Sequence, residues 1–478
     1  MTSTTLTAES VVELAAHEVY RMFGRPESGS WLFGARCESL SVGAAVRLTL
    51  PVGPDTQRYE VELLGRLSAV RPDAMVVIEH AQPWRGRLRL TFEKLGRSRT
   101  RLRVRADVSN SGLEWLVRHT GGVLSVPPVR PDAVRIGVVT SKSGPAAIYS
   151  MATEYLAELA VDEVNRDGGL DGRRLELLVV DDATDPEVAA AEARRLVRAG
   201  CRAIFACTTS SSFAAIEDVT RADDVLLVQP VMNERGTHDT ASVLRLGEQP
   251  SAQIEAVARR LVQSTGGRGW YLVGEGYSWS YGAHEAARSV VPAMRGRVVG
   301  ETFTPLGTSD FGPVIEKIQR SGAEIVMSSL VGSDEVEFQR QCAAAGLRSS
   351  VSRMSLVMDE STCAHIGSAA EGIWTALAYF QDGPATGAGE LLTRYQDAYG
   401  RWAPPISTLS ETVYEAIHQY AQAVRRDPDA GARSQRRALL QHRGGRGGTG
   451  VGARDLLVPP LYLAEVRAGA LHVFDEAG

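Results

Sequence analysis

Two hydrophobic rhythms meet at one proline-rich segment, and that junction limits what this chain can fold into. The segment Val126-Pro-Pro-Val-Arg-Pro-Asp132 carries three prolines in seven residues. Fixed φ angles and missing amide donors keep such a stretch extended, as a linker. Before it, apolar residues recur every second position, the period of strands with one face buried. After it, the period switches repeatedly between strand and helix. A chain of 478 residues exceeds one ordinary core, so a division into two or three units is expected.

The first unit spans about Thr7 to Gly122. Val42–Leu50, Tyr59–Val70, Ala74–His80, Gly86–Glu93 and Thr100–Val108 read as strands, with short helices at His17–Phe23 and Leu113–His119. Arg99, Arg101, Arg103 and Arg105 point one way and Leu102, Val104 and Ala106 the other, as in a half-buried antiparallel strand. From Arg85 to Arg105 nine cations face one acid, Glu93. No aromatic residues interleave with them to stack bases, so a solvated sheet face is expected and no nucleic acid partner. The order of elements and the Trp31-Leu-Phe-Gly34 segment resemble the START-like (SRPBCC) helix-grip family. That resemblance implies an α+β domain over residues 1–125, with a curved sheet gripping a C-terminal helix. It also implies an apolar cavity near Trp31, Phe33, Trp84 and Trp115. The final helix, Gly112–Thr120, is shorter than is usual in that family.

The second unit alternates strand and helix. Strands are expected at Val134–Val139, Leu175–Val180, Ala203–Cys207, Val225–Val228, Gly269–Val273 and Ile325–Leu330, with a further one near Met354–Met358. A helix from Ala152 to Asn165 places Leu156, Leu159, Ala160 and Val164 on one face and stops at Gly168-Gly169. This rhythm specifies an α/β fold with parallel strands. It pauses near Gln249, where the chain is expected to cross to a second lobe. Arg443 to Gly452 reads as a surface loop. Within it, Gly445-Arg-Gly447-Gly-Thr-Gly450 matches a GxGxxG pattern without the flanking strand and helix such a motif requires.

Familiar catalytic signatures are absent from the sequence. There is no GxSxG elbow, HExxH, Walker-type GK[ST] or zinc-spaced Cys/His cluster, so neither catalysis nor a metal or cofactor is expected. The five cysteines, Cys37, Cys201, Cys207, Cys342 and Cys363, are odd in number and none form a CxxC pair. Cys201 and Cys207 would lie roughly 20 Å apart along a strand, too far to bridge. Free thiols suit a reducing compartment. The opening MTSTTLTAESVVEL has no basic segment or long apolar run, and no stretch approaches the ~20 apolar residues of a membrane span. A cytoplasmic location without membrane insertion is therefore expected.

Several ordered motifs then carry a second resemblance. They are Val134–Gly144 (VRIGVVTSKSG), Val164-Asn-Arg-Asp-Gly-Gly-Leu-Asp-Gly-Arg173, Val180-Asp-Asp182, Cys207-Thr-Thr-Ser-Ser-Ser212, Gly274-Glu-Gly-Tyr-Ser-Trp279, Gly307-Thr-Ser-Asp-Phe311 and Pro459-Pro-Leu-Tyr-Leu-Ala-Glu465. Together they resemble the type I periplasmic binding proteins that receive branched-chain amino acids, urea and short amides. The resemblance implies a two-lobed receptor over residues 133–478, joined to the first unit by 126–132. Lobe 1 would hold about 133–248 and 377–455, and lobe 2 about 249–376 and 456–478.

Parallel sheets bind ligands beyond the carboxyl ends of their strands. By that rule Thr208, Thr209, Ser210 and Ser211 offer hydroxyls at a helix start, and Ser141 and Ser143 stand in the first loop. Gln229 follows the fourth strand, while Tyr277 and Trp279 form an aromatic wall in lobe 2. Ser333, Asp334 and Glu360 could hold an ammonium or amide N–H. Phe213-Ala-Ala and Gln229-Pro-Val231 depart from the pattern of the urea and amide branch and leave the ligand open.

The leading expectation is a cytosolic sensor that closes on an amino acid, amide or urea-like metabolite and signals by hinge motion. Its partner would be a regulatory protein or an ABC transporter, and a homodimer is admitted. The alternatives are the solute-binding component of an ABC importer, or a START-like domain that carries or acts on an apolar ligand.

Overall fold

The structure, a computed structural model, describes residues 3–25, 33–52, 59–120, 128–234, 241–385, 387–441 and 456–476. The chain divides into two compact units: Met1–Val126 with Tyr399–Pro404, and Pro127–Ala398 with Pro405–Gly478.

The first unit runs β1 (Ser3–Val12), α1 (Ala16–Met22), β2 (Ala45–Val52), β3 (Tyr59–Arg71), β4 (Met75–Gln82), β5 (Gly86–Lys94), β6 (Thr100–Ser109), α2 (Asn110–His119). All neighbouring strands are antiparallel, in the order β1-β6-β5-β4-β3-β2. Strand β1 is not legible in the sequence. Its segment STTLTAESVV is largely polar, and residues 4–11 are exposed. Pairing with β6 alone holds it, from Ser3 opposite Ser109 to Val12 opposite Thr100.

One sheet face packs against α1 and α2, with Val19, Phe23, Leu48, Ile78, Leu90 and Trp84 at the centre. The Trp84 and Trp115 rings stand 5.4 Å apart. Gly112 lets α2 sit this close, because a Cβ there would meet Trp84 at 2.5 Å. Trp84, Trp115 and the partly buried Phe33 thus belong to the packed core; Trp31 lies outside the described residues. On the opposite face the arginines meet acids from adjoining strands. Arg87 reaches Glu79 at 2.6 Å, Arg101 reaches Glu93 at 3.0 Å and Arg103 reaches Glu9 at 3.4 Å. The cationic stripe of the sequence is therefore much neutralised in the sheet.

In the second unit, lobe 1 begins with β7 (Ala133–Thr140), a 3-10 turn (Pro145–Ile148), α3 (Thr153–Arg166), β8 (Arg174–Asp181), α4 (Pro186–Arg198), β9 (Cys201–Cys207), α5 (Ser210–Thr220), β10 (Leu226–Gln229) and β11 (Val243–Arg245). Its five strands are parallel, in the order β11-β10-β9-β7-β8. Lobe 2 follows with α6 (Pro250–Thr265), β12 (Gly269–Glu275), α7 (Ser278–Ala293), β13 (Arg297–Thr304), α8 (Gly312–Ser321), β14 (Ile325–Ser328), α9 (Gly332–Ala344), β15 (Ser352–Ser355), α10 (Glu360–Ile366) and β16 (Ile373–Leu377). The chain returns to lobe 1 with α11 (Ala388–Tyr399), α12 (Thr408–Val424) and α13 (Ala432–Gln441), then completes lobe 2 with β17 (Tyr462–Arg467) and β18 (Ala470–Glu476). The lobe 2 sheet runs β13-β12-β14-β15-β16-β17-β18, and only its last two pairings, β16 with β17 and β17 with β18, are antiparallel. The glycine-rich 443–452 segment lies outside the described residues.

Periodicity explains why these elements form. Strand β7 is buried at all eight positions, as expected of a central strand covered on both faces. Helix α3 buries Leu156, Leu159, Ala160 and Val164, then stops where Gly168 and Gly169 take φ of 92° and 67°. The passages between lobes are tied together at Glu248. Its Oε1 accepts from the Ala378 amide at 2.8 Å and from the Thr408 hydroxyl, and the adjacent Gly247 amide donates to the Leu456 carbonyl at 2.8 Å.

Lobe 1 joins its late helices to α3 through Glu163. Its carboxylate accepts from Arg394 Nε at 2.9 Å and from the Tyr414 hydroxyl at 2.5 Å, and lies 3.1 Å from His418 Nε2. Burial alone would raise its pKa. The hydrogen bonds from His418 and Tyr414 and the charge of Arg394 outweigh burial and hold it at about 2. A depressed carboxylate stabilises the fold fully above its ordinary value near ~4.3 and loses that contribution as pH falls through the folded value. Glu163→Gln is expected to cost about 2 kcal/mol at pH 7. It should also flatten the stability profile between about pH 4 and pH 2. Denaturant melts across that range check both effects.

A candidate ligand cleft between the lobes

The loops that follow the parallel strands of lobe 1 face those of lobe 2 across a cleft. It holds about 330 Å³ of space between atoms, its open mouth included. Lobe 1 contributes Tyr149, Thr208, Thr209, Ser210, Val231, Met232 and Leu409, and lobe 2 contributes Tyr277, Trp279, Val331 and Val357. Each strand-following residue sits where its sheet delivers it: Thr208 after β9, Val231 after β10, Tyr277 after β12, Val331 after β14 and Val357 after β15.

Five of the residues singled out from the sequence line this space: Thr208, Thr209, Ser210, Tyr277 and Trp279. Their roles differ. Thr209 caps α5, its Oγ1 accepting from the Ser212 amide at 3.4 Å. The Thr208 hydroxyl donates to the Thr209 carbonyl at 3.3 Å. The Ser210 hydroxyl donates to Glu234 Oε2 at 2.6 Å. Trp279, in the first turn of α7, is 3% exposed, and its indole Nε1–H has no protein acceptor among the described residues. A buried donor left in this way costs about 1–3 kcal/mol unless an acceptor arrives.

The other sequence candidates lie apart from the lining. The Ser143 hydroxyl donates to Asp181 at 2.7 Å, and Ser141 is buried beside Asp182. The Ser211 hydroxyl is 3.1 Å from that of Thr209. Gln229 is buried at the end of β10, two residues short of the lining Val231. Asp334 accepts from the Gly307 and Thr308 amides at 2.8 and 3.0 Å and from Ser333, so it orders a loop of lobe 2. Glu360 accepts from the Gln381 amide at 2.6 Å; burial and the neighbouring Asp359 raise its pKa to about 8. Sequence reasoning missed Tyr149, Val231, Met232, Val331, Val357 and Leu409. The strand-end rule points to four of these six, but apolar side chains in such places also read as core.

The electrostatics of the cleft are one-signed. No lysine or arginine is among the lining residues. The nearby Lys142 ammonium is paired with Glu154 at 2.8 Å. Burial raises the Tyr149 phenol, and so do the negative groups Asp182, Glu275 and Asp359. Burial likewise raises Tyr277, helped by Glu275, Tyr149, Glu234 and Asp334. Glu275 is fully buried. It accepts from the Val331 amide at 2.9 Å through Oε1, while Oε2 has no partner among the described residues. Its burial holds the carboxyl well above the usual range.

The lobes touch at two glycines. Gly332, at the start of α9, has φ of 56°, and a Cβ there would stand 1.9 Å from the Pro145 carbonyl oxygen of lobe 1. Gly282, on α7, would place a Cβ 2.5 Å from Glu234 Cβ. Such contact distances describe a closed cleft. Gly332→Ala is therefore expected to keep the lobes apart and weaken ligand binding roughly tenfold or more. The distance between labels on the exposed Arg194 of lobe 1 and Lys317 of lobe 2 would lengthen. An unchanged distance would mean that this contact does not limit closure.

With this geometry in view, comparison with known proteins is informative. The pattern of the periplasmic binding protein family matches residues 133–469. The Leu/Ile/Val-binding protein of Escherichia coli K12 is 24% identical over 244 residues, 51% of this chain and 66% of its own length. A Leu/Ile/Val-binding protein of Rhizobium johnstonii is 26% identical over 209 residues, 42% of this chain and 56% of its own. The chain thus spans slightly under two thirds, or less, of these relatives. Among solved structures, a leucine binding protein from Thermotoga maritima aligns with a TM-score of 0.63 at 17% identity, covering 72% of this chain and 98% of that one. An ABC transporter solute binding protein from R. palustris, in complex with 4-hydroxybenzoate, gives 0.63 at 19%, covering 72% and 96%. At such identities the structural likeness speaks to the fold alone. With the family pattern running through most of the second unit and both parallel-sheet lobes in place, the chain belongs to the periplasmic binding protein family and has its two-lobed type I α/β fold.

Proposed function

We propose that residues 127–478 form a solute receptor that closes its lobes on one small molecule with an apolar body and a polar head, and carries out no chemistry on it. The observation behind this reading is the composition of the cleft. Val231, Met232, Val331, Val357 and Leu409 supply apolar walls, and Tyr149, Tyr277 and Trp279 supply flat ones. The unsatisfied Trp279 indole N–H supplies a polar anchor. The urea-like ligand considered from sequence is too polar for such walls; an amino acid, or an amide bearing an alkyl chain, fits them better. A ligand that touches both lobes favours the closed state by its differential affinity, which is the output such a module delivers. The relatives' names, which specify leucine, isoleucine and valine, favour a role as the substrate-binding partner of an ABC transporter.

A second reading, a sensor inside the cell, has its own support. A folded unit of six strands and two helices precedes the receptor, and all five cysteines are free thiols, four of them buried. The strand order β1-β6-β5-β4-β3-β2 followed by α2 favours a START-like assignment for that unit. Among the described residues no helix is long and apolar enough to cross a membrane. Fractionation of the native cells separates the readings: recovery with the envelope supports transport, and recovery with the cytosol supports sensing.

Calorimetry with leucine, leucinamide, urea and 4-hydroxybenzoate tests the receptor reading itself. At least one is expected to bind in the micromolar range or tighter. Trp279→Phe should weaken that binding by about 1–2 kcal/mol, because it keeps an aromatic ring and removes the N–H. Trp279→Ala should weaken it by about 3 kcal/mol or more. Binding indifferent to both changes would place the pocket elsewhere.

A further inference from the structure

At the first turn of α5 the hydroxyl expected to greet a ligand is already engaged by a carboxylate of the protein. The Ser210 hydroxyl donates to Glu234 Oε2 at 2.6 Å. Thr209 is taken up by the cap of its own helix, and Thr208 by the backbone next to it. Glu234 is brought there by the turn after β10, and Gly282 of lobe 2 closes over it with room for no side chain, since a Cβ would stand 2.5 Å from Glu234 Cβ. A ligand carboxylate directed to this helix end would meet a second carboxylate within hydrogen-bonding range of the same hydroxyl. Two like charges so close, away from water, disfavour one another strongly.

We propose that Glu234 occupies the place a ligand's carboxylate would need, and so makes the cleft selective for an organic ammonium ion with an apolar chain over the corresponding acid or amino acid. This rests on the receptor reading above and specifies its ligand. Three further observations agree. The lining holds no lysine or arginine. Tyr149, Tyr277 and Trp279 offer aromatic faces, which attract a cation when it sheds water. Glu275, fully buried next to the loop that carries Tyr277, keeps one carboxyl oxygen without a partner among the described residues, and a cation brought close would favour its ionised, accepting form. The unsatisfied Trp279 N–H adds a need for a neutral acceptor on the ligand, such as an amide carbonyl. An amino acid amide carries both: a cation, and a carbonyl in place of the carboxylate.

Three compounds with the same branched chain isolate the charge: leucinamide (a cation), leucine (a zwitterion) and 4-methylpentanoate (an anion). In calorimetry on the full chain, leucinamide is expected to bind roughly tenfold or more tightly than leucine, with 4-methylpentanoate weakest. Glu234→Gln should narrow or reverse that order, whereas Glu234→Asp, which keeps the charge, should preserve it. Thermal melts of the empty variants show whether each is folded, and Glu234→Asp keeps the test informative should Glu234→Gln not be. If leucine or 4-methylpentanoate binds as tightly as leucinamide, or if Glu234→Gln leaves the order unchanged, the inference is overturned and the receptor reading stands. Binding of 4-hydroxybenzoate without binding of leucinamide overturns the inference in the same way. Absence of binding by every compound overturns both.

Discussion

Glu248 is a buried carboxylate at the point where the chain first leaves lobe 1, and the amide of Ala378 and the hydroxyl of Thr408 converge on its Oε1. Those donors belong to the second passage between lobes and to the start of α12. The neighbouring Gly247 amide ties in Leu456, on the approach to β17. Removing a charged group from water is costly, and charge-assisted hydrogen bonds offset that cost only while the donors stay in place. The passages between the lobes are thus tied to one another through this one group.

The character of the cleft follows from what the strand ends deliver. Parallel sheets aim their carboxyl ends, and the starts of the next helices, at the same gap. Lobe 1 brings hydroxyls and the start of α5; lobe 2 brings the aromatic pair Tyr277 and Trp279. Glycine at positions 282 and 332 lets these surfaces meet at distances no other residue permits. Closure and ligand recognition thus draw on the same few contacts.

Much of this architecture can be read from the sequence, for identifiable reasons. A strand covered on both faces, such as β7 or β12, must be a continuous apolar run, and such runs stand out. Strand β1 cannot be found this way: its side chains are largely solvated, and pairing with β6, in the backbone and through Thr5–Asp107 and Glu9–Arg103, defines it. At the site, Thr208, Thr209, Ser210, Tyr277 and Trp279 are visible because polar and aromatic residues after a strand are conspicuous. Val231, Val331 and Val357 occupy equivalent positions and are invisible because valine there looks like core. Ser143 and Asp334 show the opposite error: their polar atoms are consumed in ordering loops, at Asp181 and at the amides of Gly307 and Thr308. Hydrogen-bond supply and demand within a loop is a property of three-dimensional neighbours, which spacing along the chain does not reveal.

The interleaving of the lobes carries a consequence for how the second unit is made. Strands β17 and β18 close the lobe 2 sheet against β16, with Trp374 and Phe474 stacked 5.5 Å apart, yet they are translated after α11, α12 and α13 have gone to lobe 1. Helix α12, for its part, packs on α3, 255 residues upstream at the contact between His418 and Glu163. Each lobe waits on residues that come after part of the other. A nascent chain emerging from the ribosome has a lobe 1 sheet that still lacks its late helices and a lobe 2 sheet that still lacks its last strands, and contacts of such long sequence separation assemble slowly. Neither lobe of the second unit is therefore complete before the other is nearly so.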